Sequence, residues 1–319
     1  MRCLMIGTLL AFAALAGCED AIPGAIPMPE IAKLEAKGQA KVTASVLAIY
    51  GTPDDPKVPA DSGLDLARAL RGRDEYRGLC LYCHGANYDG RGPGSVALDP
   101  PPRDFRQGTF KFTSTQAGMK PCRADLLASL TRGMPLARMP SFSSLEPERQ
   151  QALIDWVLYI AQRGDLERRL ATVYDSNGDL DADTIGGIAS AVTGDWHDAE
   201  SAGVDPPTPM PAFSKEVVDS GDQLFHSPSY KCSGCHGDLG KGDGPSAAGL
   251  KDDWGNPQAP RDFTLGVFRG GSRPIDVYRS IACGVKGTPM PGFAETLKPE
   301  QIWALVQYVK TLGARSVVW

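Results

Sequence analysis

The sequence predicts a mostly helical protein that consists of two copies of one small domain joined by a linker. The motif Cys-x-x-Cys-His occurs in each half of the chain, at residues 80–84 and 232–236. Each copy is followed by the same series of short motifs, and each half closes with a segment of helical periodicity. The length of 319 residues also allows about two domains.

The Cys-x-x-Cys-His motif is the attachment signature of c-type haem. Cysteines at this spacing lie one helical turn apart, so both sulfurs can reach the two vinyl groups of one porphyrin. The histidine that follows then lies under the iron and supplies a nitrogen ligand. We therefore predict two covalent haems c, one on Cys80, Cys83 and His84 and one on Cys232, Cys235 and His236.

Further motifs follow in the same order in both halves. They are Gly-x-Gly-Pro at 90–93 and 242–245, Pro-Arg-Asp-Phe at 102–105 and 260–263, and Met-Pro-x-Phe at 139–142 and 290–293. The glycine pairs are not phosphate loops, because no strand precedes them and no P-loop lysine follows. We expect them to let the backbone pass close to a haem edge. Arg103 and Arg261 have two open interpretations, a hydrogen bond to a haem propionate or an ion pair with the next aspartate that holds the loop.

Each half is predicted to begin and end with a helix. Helices near 64–76 and 217–225 precede the two haem motifs. The closing helices start near Pro147 and Pro299, since proline is tolerated in a first helical turn. Their apolar residues recur at helical spacing on one face. These residues are Leu153, Trp156, Val157 and Ile160 in the first half, and Ile302, Leu305, Val306 and Val309 in the second.

The N-terminus has the pattern of a secretory signal. Arg2 is followed by an apolar run over residues 4–16, which is too short to span a bilayer. The run ends in Leu-Ala-Gly-Cys at 15–18, which resembles the lipobox of bacterial lipoproteins. The resemblance implies that residues 1–17 are a signal peptide and that Cys18 carries lipid, which anchors the protein to a bacterial membrane facing the periplasm. Ordinary signal cleavage nearby, which leaves a soluble protein, is the alternative.

Two further segments lie outside the repeat. Residues 18–60 are rich in proline, alanine and glycine and read as a tether, with a weak alternation over 39–50 that suggests a strand. Residues 61–164 and 216–319 form the two domains, and residues 165–215 connect them.

The connector contains an acidic stretch at 175–181 that begins like a calcium loop. Leu180 and Gly186 stand where such a loop needs glycine and glutamate, so we predict a solvated turn. The proline-rich run 206–211 is predicted to be a semi-rigid spacer.

Cysteine usage is consistent with export. After the signal, the lipid and the two haems are assigned, only Cys122 and Cys283 remain. In an oxidising compartment these two thiols can form a disulfide; the alternative is two separate buried thiols.

The formal net charge of −5 and the absence of a basic block exclude a nucleic-acid partner.

Each half resembles a class I cytochrome c domain, with Cys-x-x-Cys-His near the start, a methionine-proline loop later and a closing helix. The resemblance covers about residues 75–163 and 221–312. It implies a helical fold around each haem, with the iron held between histidine and methionine. It does not account for the tether or the connector.

The methionine ligands are assigned by comparing the two halves. Met139 lies 55 residues after His84, and Met290 lies 54 residues after His236. Met134 also precedes a proline, but its counterpart in the second half is Val285. We therefore predict Met139 and Met290 as the ligands and a packing role for Met134. With these methionines available, surface or structural roles are expected for the remaining histidines, His197 and His226.

This ligand set favours electron transfer. A neutral thioether favours ferrous iron, and two filled axial positions leave no open site for a substrate. We expect a non-enzymatic carrier that passes single electrons between a donor complex and a terminal oxidase or reductase. The alternatives are a two-haem cytochrome c peroxidase, a thiosulfate-dehydrogenase-like enzyme with a cysteine axial ligand, and a fixed cytochrome subunit of a larger oxidoreductase complex.

Overall fold

The computed structural model describes residues 27–314, and this part of the chain is helical. Within it there are isolated bridges but no strand. The helices are α1 Pro29–Ala32, α2 Ala36–Tyr50, α3 Leu66–Leu79, α4 Leu81–His84, α5 Arg123–Arg132, α6 Pro147–Asn177, α7 Ala182–Ala199, α8 Lys215–Phe225, α9 Cys232–His236, α10 Pro274–Ala282 and α11 Pro299–Ala314. The predicted signal peptide, residues 1–17, and Cys18 lie outside the described residues.

Both domains are built around one close helix crossing. In the first domain α3 crosses α6 at Gly72, where an added Cβ would lie 1.8 Å from the carbonyl oxygen of Ala152. In the second domain α8 crosses α11 at Gly221, where a Cβ would lie 2.2 Å from the carbonyl oxygen of Ala304. Only glycine allows the backbones to approach so closely. The same crossing in both halves confirms the predicted internal repeat.

The predicted helix ends are close to those observed. Asp65 caps α3, because its side chain accepts a hydrogen bond from the Arg68 amide, and Ser214 caps α8 in the same way. Pro147 and Pro299 are the first residues of α6 and α11. Every apolar residue of the two predicted faces is buried, except Val157, which is half-buried.

The N-terminal segment differs from the predicted tether. Helices α1 and α2 pack against α6, and Met28, Val42, Val46 and Tyr50 are almost fully buried. The Tyr50 hydroxyl donates to Oε1 of Gln162 at 3.1 Å. The predicted strand over 39–50 is wrong, because the buried residues at 42, 46 and 50 recur every four positions, which is the spacing of a helix and not of a strand.

The connector is also mostly helical. Helix α6 continues past the first domain to Asn177, and α7 packs back against it. The turn between them is exposed at its aspartates, as predicted, and Asp181 caps α7. The proline-rich run 206–211 is not a free spacer: the carbonyl oxygens of Thr208 and Pro211 accept hydrogen bonds from side chains of α11. Between residues 27 and 314 no helix combines the length and the apolar character needed to cross a membrane.

Candidate haem sites

The two Cys-x-x-Cys-His motifs fold into the same short helical turn. The amide of His84 donates to the carbonyl oxygen of Cys80 at 2.8 Å, and Gly85, with a φ of 81°, ends the turn. In the second domain Gly237, with a φ of 74°, ends α9 in the same way. A positive φ favours glycine, which explains why each motif is followed by one.

The glycine pairs secure these turns. Gly90 and Gly242 donate from their amides to the carbonyl oxygens of His84 and His236, at 3.0 and 2.8 Å. An added Cβ on Gly90 would lie 2.2 Å from the carbonyl oxygen of Pro102. The glycines therefore let the backbone pass between the Cys-x-x-Cys-His motif and the Pro-Arg-Asp-Phe motif.

Both motif histidines are held in one orientation. Nδ1 of His84 lies 3.2 Å from the carbonyl oxygen of Arg103, and Nδ1 of His236 lies 3.1 Å from that of Arg261. Since a carbonyl oxygen only accepts, Nδ1 carries the hydrogen and Nε2 keeps its lone pair for a metal. Burial lowers the pKa of His84 to about 4 and also lowers the pKa of His236, which keeps both rings neutral.

An aromatic ring stacks on each histidine. The ring centroids of His84 and Phe105 are 4.4 Å apart, with 16° between the planes. Those of His236 and Phe263 are also 4.4 Å apart, with 22° between the planes. The phenylalanine of the Pro-Arg-Asp-Phe motif therefore packs on the histidine that the arginine carbonyl orients.

The two methionine loops are matching hairpins. In the first domain Met134 and Met139 exchange backbone hydrogen bonds of 2.9 and 3.2 Å. In the second domain the amide of Val285 donates to the carbonyl oxygen of Met290 at 3.1 Å. Met134 therefore occupies the position of Val285, as the spacing of the repeat predicted. Met134 and Met139 both line the cavity described next.

One cavity of about 1530 Å³ reaches both motifs. This volume exceeds the roughly 300–1,000 Å³ of an ordinary small-molecule pocket. The cavity is lined by all eight residues predicted to hold haem, namely Cys80, Cys83, His84, Met139, Cys232, Cys235, His236 and Met290. The tertiary structure thus joins the two predicted sites into one continuous space.

The arginines of the two Pro-Arg-Asp-Phe motifs have different surroundings. The guanidinium carbon of Arg103 lies 3.8 Å from the ring centroid of Trp254, in the second domain. Arg261, which lines the cavity as Arg103 does, has Nε and Nη2 buried and without a hydrogen-bond partner among residues 27–314, and Nε of Arg269 is in the same condition. Burial, together with the charge of Arg269, lowers the pKa of Arg261.

The aspartates of these motifs do not pair with the arginines before them. Asp104 forms an ion pair with Arg106, 2.7 Å apart, and Asp262 accepts hydrogen bonds from Thr264. Of the two interpretations of the motif, the arginine–aspartate pair is therefore wrong.

The residues around the cavity fit a covalent haem at each motif. Each site offers two cysteines one turn apart, a neutral histidine with Nε2 free and a methionine sulfur, within a largely apolar cavity. The buried guanidinium atoms of Arg261 and Arg269 lack an anion, and a haem propionate would supply one.

Cys122 and Cys283 are buried free thiols that each contact Ser114. The sulfur of Cys122 lies 3.6 Å from Oγ of Ser114, and the sulfur of Cys283 donates to the carbonyl oxygen of Ser114 at 3.3 Å. The predicted disulfide is not formed in the structure, although the two thiols contact the same residue.

His226 and His197 are not among the residues that line the cavity. The ring nitrogens of His226 lie 3.0 and 3.2 Å from the carbonyl oxygens of Asp222 and Asp238. His197 is exposed.

Trp254 is a residue of the site that sequence reasoning missed. The motif histidine and the arginine whose carbonyl it contacts are 19 residues apart in the first domain and 25 residues apart in the second. Trp254 lies in the longer loop of the second domain, which is closed by a bridge between Lys251 and Pro257. The difference in length between the two halves is the signal that could have identified it.

Comparisons with known proteins agree with the repeat. Residues 218–313 match the family model for cytochrome c, and residues 67–157 match the model for subunit III of the cbb3-type cytochrome c oxidase. A chain of the reducing HAO-like protein complex of Kuenenia stuttgartiensis is similar in structure, with a TM-score of 0.61 and 28% sequence identity. That match covers 80% of this chain and 99% of the other. None of the curated proteins matches this chain.

Proposed function

Because the chain contains two cytochrome c domains, we propose that it is an electron carrier with two covalent haems c, each ligated by histidine and methionine. The observation that carries this proposal is the presence of two equivalent ligand sets on one cavity. His84 and Met139 would hold the iron at the first site, and His236 and Met290 would hold it at the second. Bound haem supplies an iron that exchanges single electrons.

The residues of the chain prepare each site for this exchange. The carbonyl oxygens of Arg103 and Arg261 keep Nδ1 of each histidine protonated, which leaves the lone pair of Nε2 available to hold an iron. Phe105 and Phe263 stack on the histidines and exclude water from them. A methionine sulfur bound to the iron would favour its reduced state and so raise the reduction potential. Arg261 and Arg269 would offset propionate charge.

Optical and magnetic spectra of each haem in both oxidation states test this function. We expect two six-coordinate, low-spin haems with the weak far-red absorption of methionine ligation in the ferric state. A high-spin haem that binds peroxide would overturn the proposal in favour of the peroxidase alternative. An iron with a cysteine ligand would favour the thiosulfate-dehydrogenase-like alternative, for which neither Cys122 nor Cys283 lies at the methionine position.

A second candidate is a fixed cytochrome subunit of a larger redox complex. The observation in its favour is that a chain of the HAO-like complex matches this one over 99% of its own length. The chemistry of the haems would be the same and only the partner would differ. Purification under mild conditions distinguishes the two: a stable stoichiometric partner supports the subunit, and a monomeric carrier that exchanges electrons with several small redox proteins contradicts it.

The location we propose is the bacterial cell envelope, with lipid on Cys18 holding the protein to a membrane on its periplasmic side. The lipobox-like residues 15–18 support this proposal. Its donor and acceptor would be redox proteins reached at that surface.

A further inference from the structure

The hairpin that carries Met290 is held by the first domain. The amide of Lys286, in this hairpin, donates to the carbonyl oxygen of Lys111 at 3.2 Å. Its Nζ donates to Oγ1 of Thr115 at 2.5 Å and to the carbonyl oxygen of Met119 at 2.7 Å. The loop that supplies the methionine of one site is thus fixed by the domain that contains the other.

Trp254 packs against the same hairpin. An added Cβ on Gly287 would lie 2.4 Å from the indole ring of Trp254, so the ring lies directly on the backbone there. The amide of Asp253 donates to the carbonyl oxygen of Gly287 at 3.1 Å. Trp254 therefore helps to set the position of the backbone that carries Met290.

Arg103 connects this tryptophan to the first site. Its guanidinium carbon lies 3.8 Å from the centroid of the Trp254 ring, a distance typical of a cation–π contact. Its carbonyl oxygen is the one that accepts the hydrogen bond from Nδ1 of His84. One continuous series of contacts thus runs from the histidine of the first site, through Arg103 and Trp254, to the methionine hairpin of the second.

The reverse connection is absent between residues 27 and 314. No aromatic ring stacks on the Arg261 guanidinium in this part of the chain. The backbone hydrogen bonds of the hairpin 134–139 stay within the first domain. The two sites are therefore linked head to tail, from the histidine side of the first to the methionine side of the second.

We infer that Arg103 and Trp254 are positioning residues that couple the two haems, so that the methionine ligation of the second haem depends on the first domain. This inference rests on the proposed function. A displacement of Trp254 would loosen the Met290 hairpin, and a weaker bond from methionine to iron changes the reduction potential of that haem. The first haem keeps its ligands, because its hairpin is secured within its own domain.

The test is a redox titration of the holoprotein carrying Trp254→Leu, with Trp254→Phe as the matched control. Met290→His identifies the second haem, because it lowers the potential of that haem alone. In Trp254→Leu we expect the second haem to lose far-red absorption and to shift in midpoint potential, with a smaller shift at the first. Trp254→Phe keeps an aromatic face for Arg103 and should titrate like the wild type.

A second variant covers the case in which Trp254→Leu does not fold. Arg103→Leu keeps the backbone carbonyl that orients His84 and removes the guanidinium that stacks on Trp254, together with its charge at the cavity. Because the lost charge can itself shift a potential, the readout is the far-red band of the second haem, and we expect a smaller loss of that band than in Trp254→Leu. Titrations of both variants that superimpose on the wild type would overturn the inference while leaving the electron carrier intact. A wild-type protein without two reversible one-electron haems would overturn the proposed function itself, before any variant is compared.

Discussion

Lys111 of the first domain forms a buried ion pair with Asp252 of the second, with 3.0 Å between Nζ and Oδ2. The exposed fractions of the two side chains are 12% and 4%. Lys111 also donates to Oε1 of Gln258 at 2.5 Å. Burial lowers the pKa of Lys111, and the hydrogen bond to Asp252 opposes this shift. The pair therefore lies in the low-dielectric boundary between the two cytochrome domains.

The variant Lys111→Met should lower the free energy of unfolding by about 3–5 kcal/mol, because it leaves a buried carboxylate without its cation. Denaturant unfolding of the holoprotein measures the loss. The control is Lys215→Met, which removes an exposed pair with Asp219 and should change stability little. Equal losses of unfolding free energy in the two variants would show that the buried ion pair at the domain boundary stabilises the protein no more than an exposed pair does.

Asp165 should make the stability of the protein depend on acid pH. Its side chain is fully buried among Lys120, Arg168 and Arg169. Burial by itself would raise the pKa of Asp165, but these cations, Lys120 first, hold it below its usual value. A lowered carboxylate pKa contributes stability above the unfolded value of about 4, and this contribution is lost as the pH falls through the folded value.

The measurement compares the wild type with Asp165→Asn in denaturant unfolding at a series of pH values. We expect the variant to be less stable by about 3–5 kcal/mol near neutral pH. The difference should shrink as the pH falls below about 4. The control is Asp195→Asn, which removes an exposed carboxylate that contacts Arg169. If the difference in unfolding free energy between the wild type and Asp165→Asn stays constant with pH, the ionised Asp165 carboxylate is not the source of the stability.

The ligand of the first haem should be Met139 and not Met134. Met134 and Val285 occupy the same hairpin position, so the role of Met134 is not shared by the second site. Met134→Leu should leave both optical spectra almost unchanged, whereas Met139→His should lower the potential of one haem only. If Met134→Leu abolishes a far-red band and Met139→Leu does not, the assignment is wrong.

The predicted disulfide between Cys122 and Cys283 remains a prediction, although both thiols contact Ser114. Its formation removes two electrons and two protons, which a disulfide of another protein would accept by exchange. The bond would join the two domains and stabilise the fold by about 2–4 kcal/mol. Alkylation of the denatured, unreduced protein should then leave both sulfurs unlabelled, and label should appear on Cys122 in the variant Cys283→Ser. Label on both wild-type thiols would contradict the bond.

Lipid on Cys18 should be visible in the intact mass of protein extracted from membranes. We expect a chain that begins at Cys18 and carries a diacylglycerol group. Cys18→Ala should release the holoprotein from the membrane or leave the signal uncleaved. A mature chain that begins elsewhere and lacks the lipid mass would exclude the anchor.

The candidate haem residues could be proposed from the sequence because they depend on local spacing. Two cysteines and a histidine within one helical turn define an attachment site wherever the turn lies. The repeat then predicted Met139 as a ligand through its equivalence with Met290, and this assignment remains a prediction. The closing helices were predictable for the same reason, since proline and the apolar residues that follow it determine a helix and its buried face.

Helix α2 shows where local patterns mislead. Val42, Val46 and Tyr50 belong both to a period of two, which suggested a strand, and to a spacing of four, which the helix uses. The choice depends on α6, because only a helix brings all three side chains onto the face that packs there. The sequence of the segment itself does not show that it packs against α6.

The relationship between the two sites was decided by tertiary structure alone. Arg103 and Arg261 lie in identical motifs and both line the cavity, yet Arg103 stacks on Trp254 whereas Arg261 has buried nitrogens without a hydrogen-bond partner among residues 27–314. This difference arises because the domains contact each other through unlike surfaces, and the longer loop of the second domain brings Trp254 to the boundary. A repeated sequence determines what each domain can bind, whereas the docking of one domain on the other determines which copies of a repeated residue meet a partner.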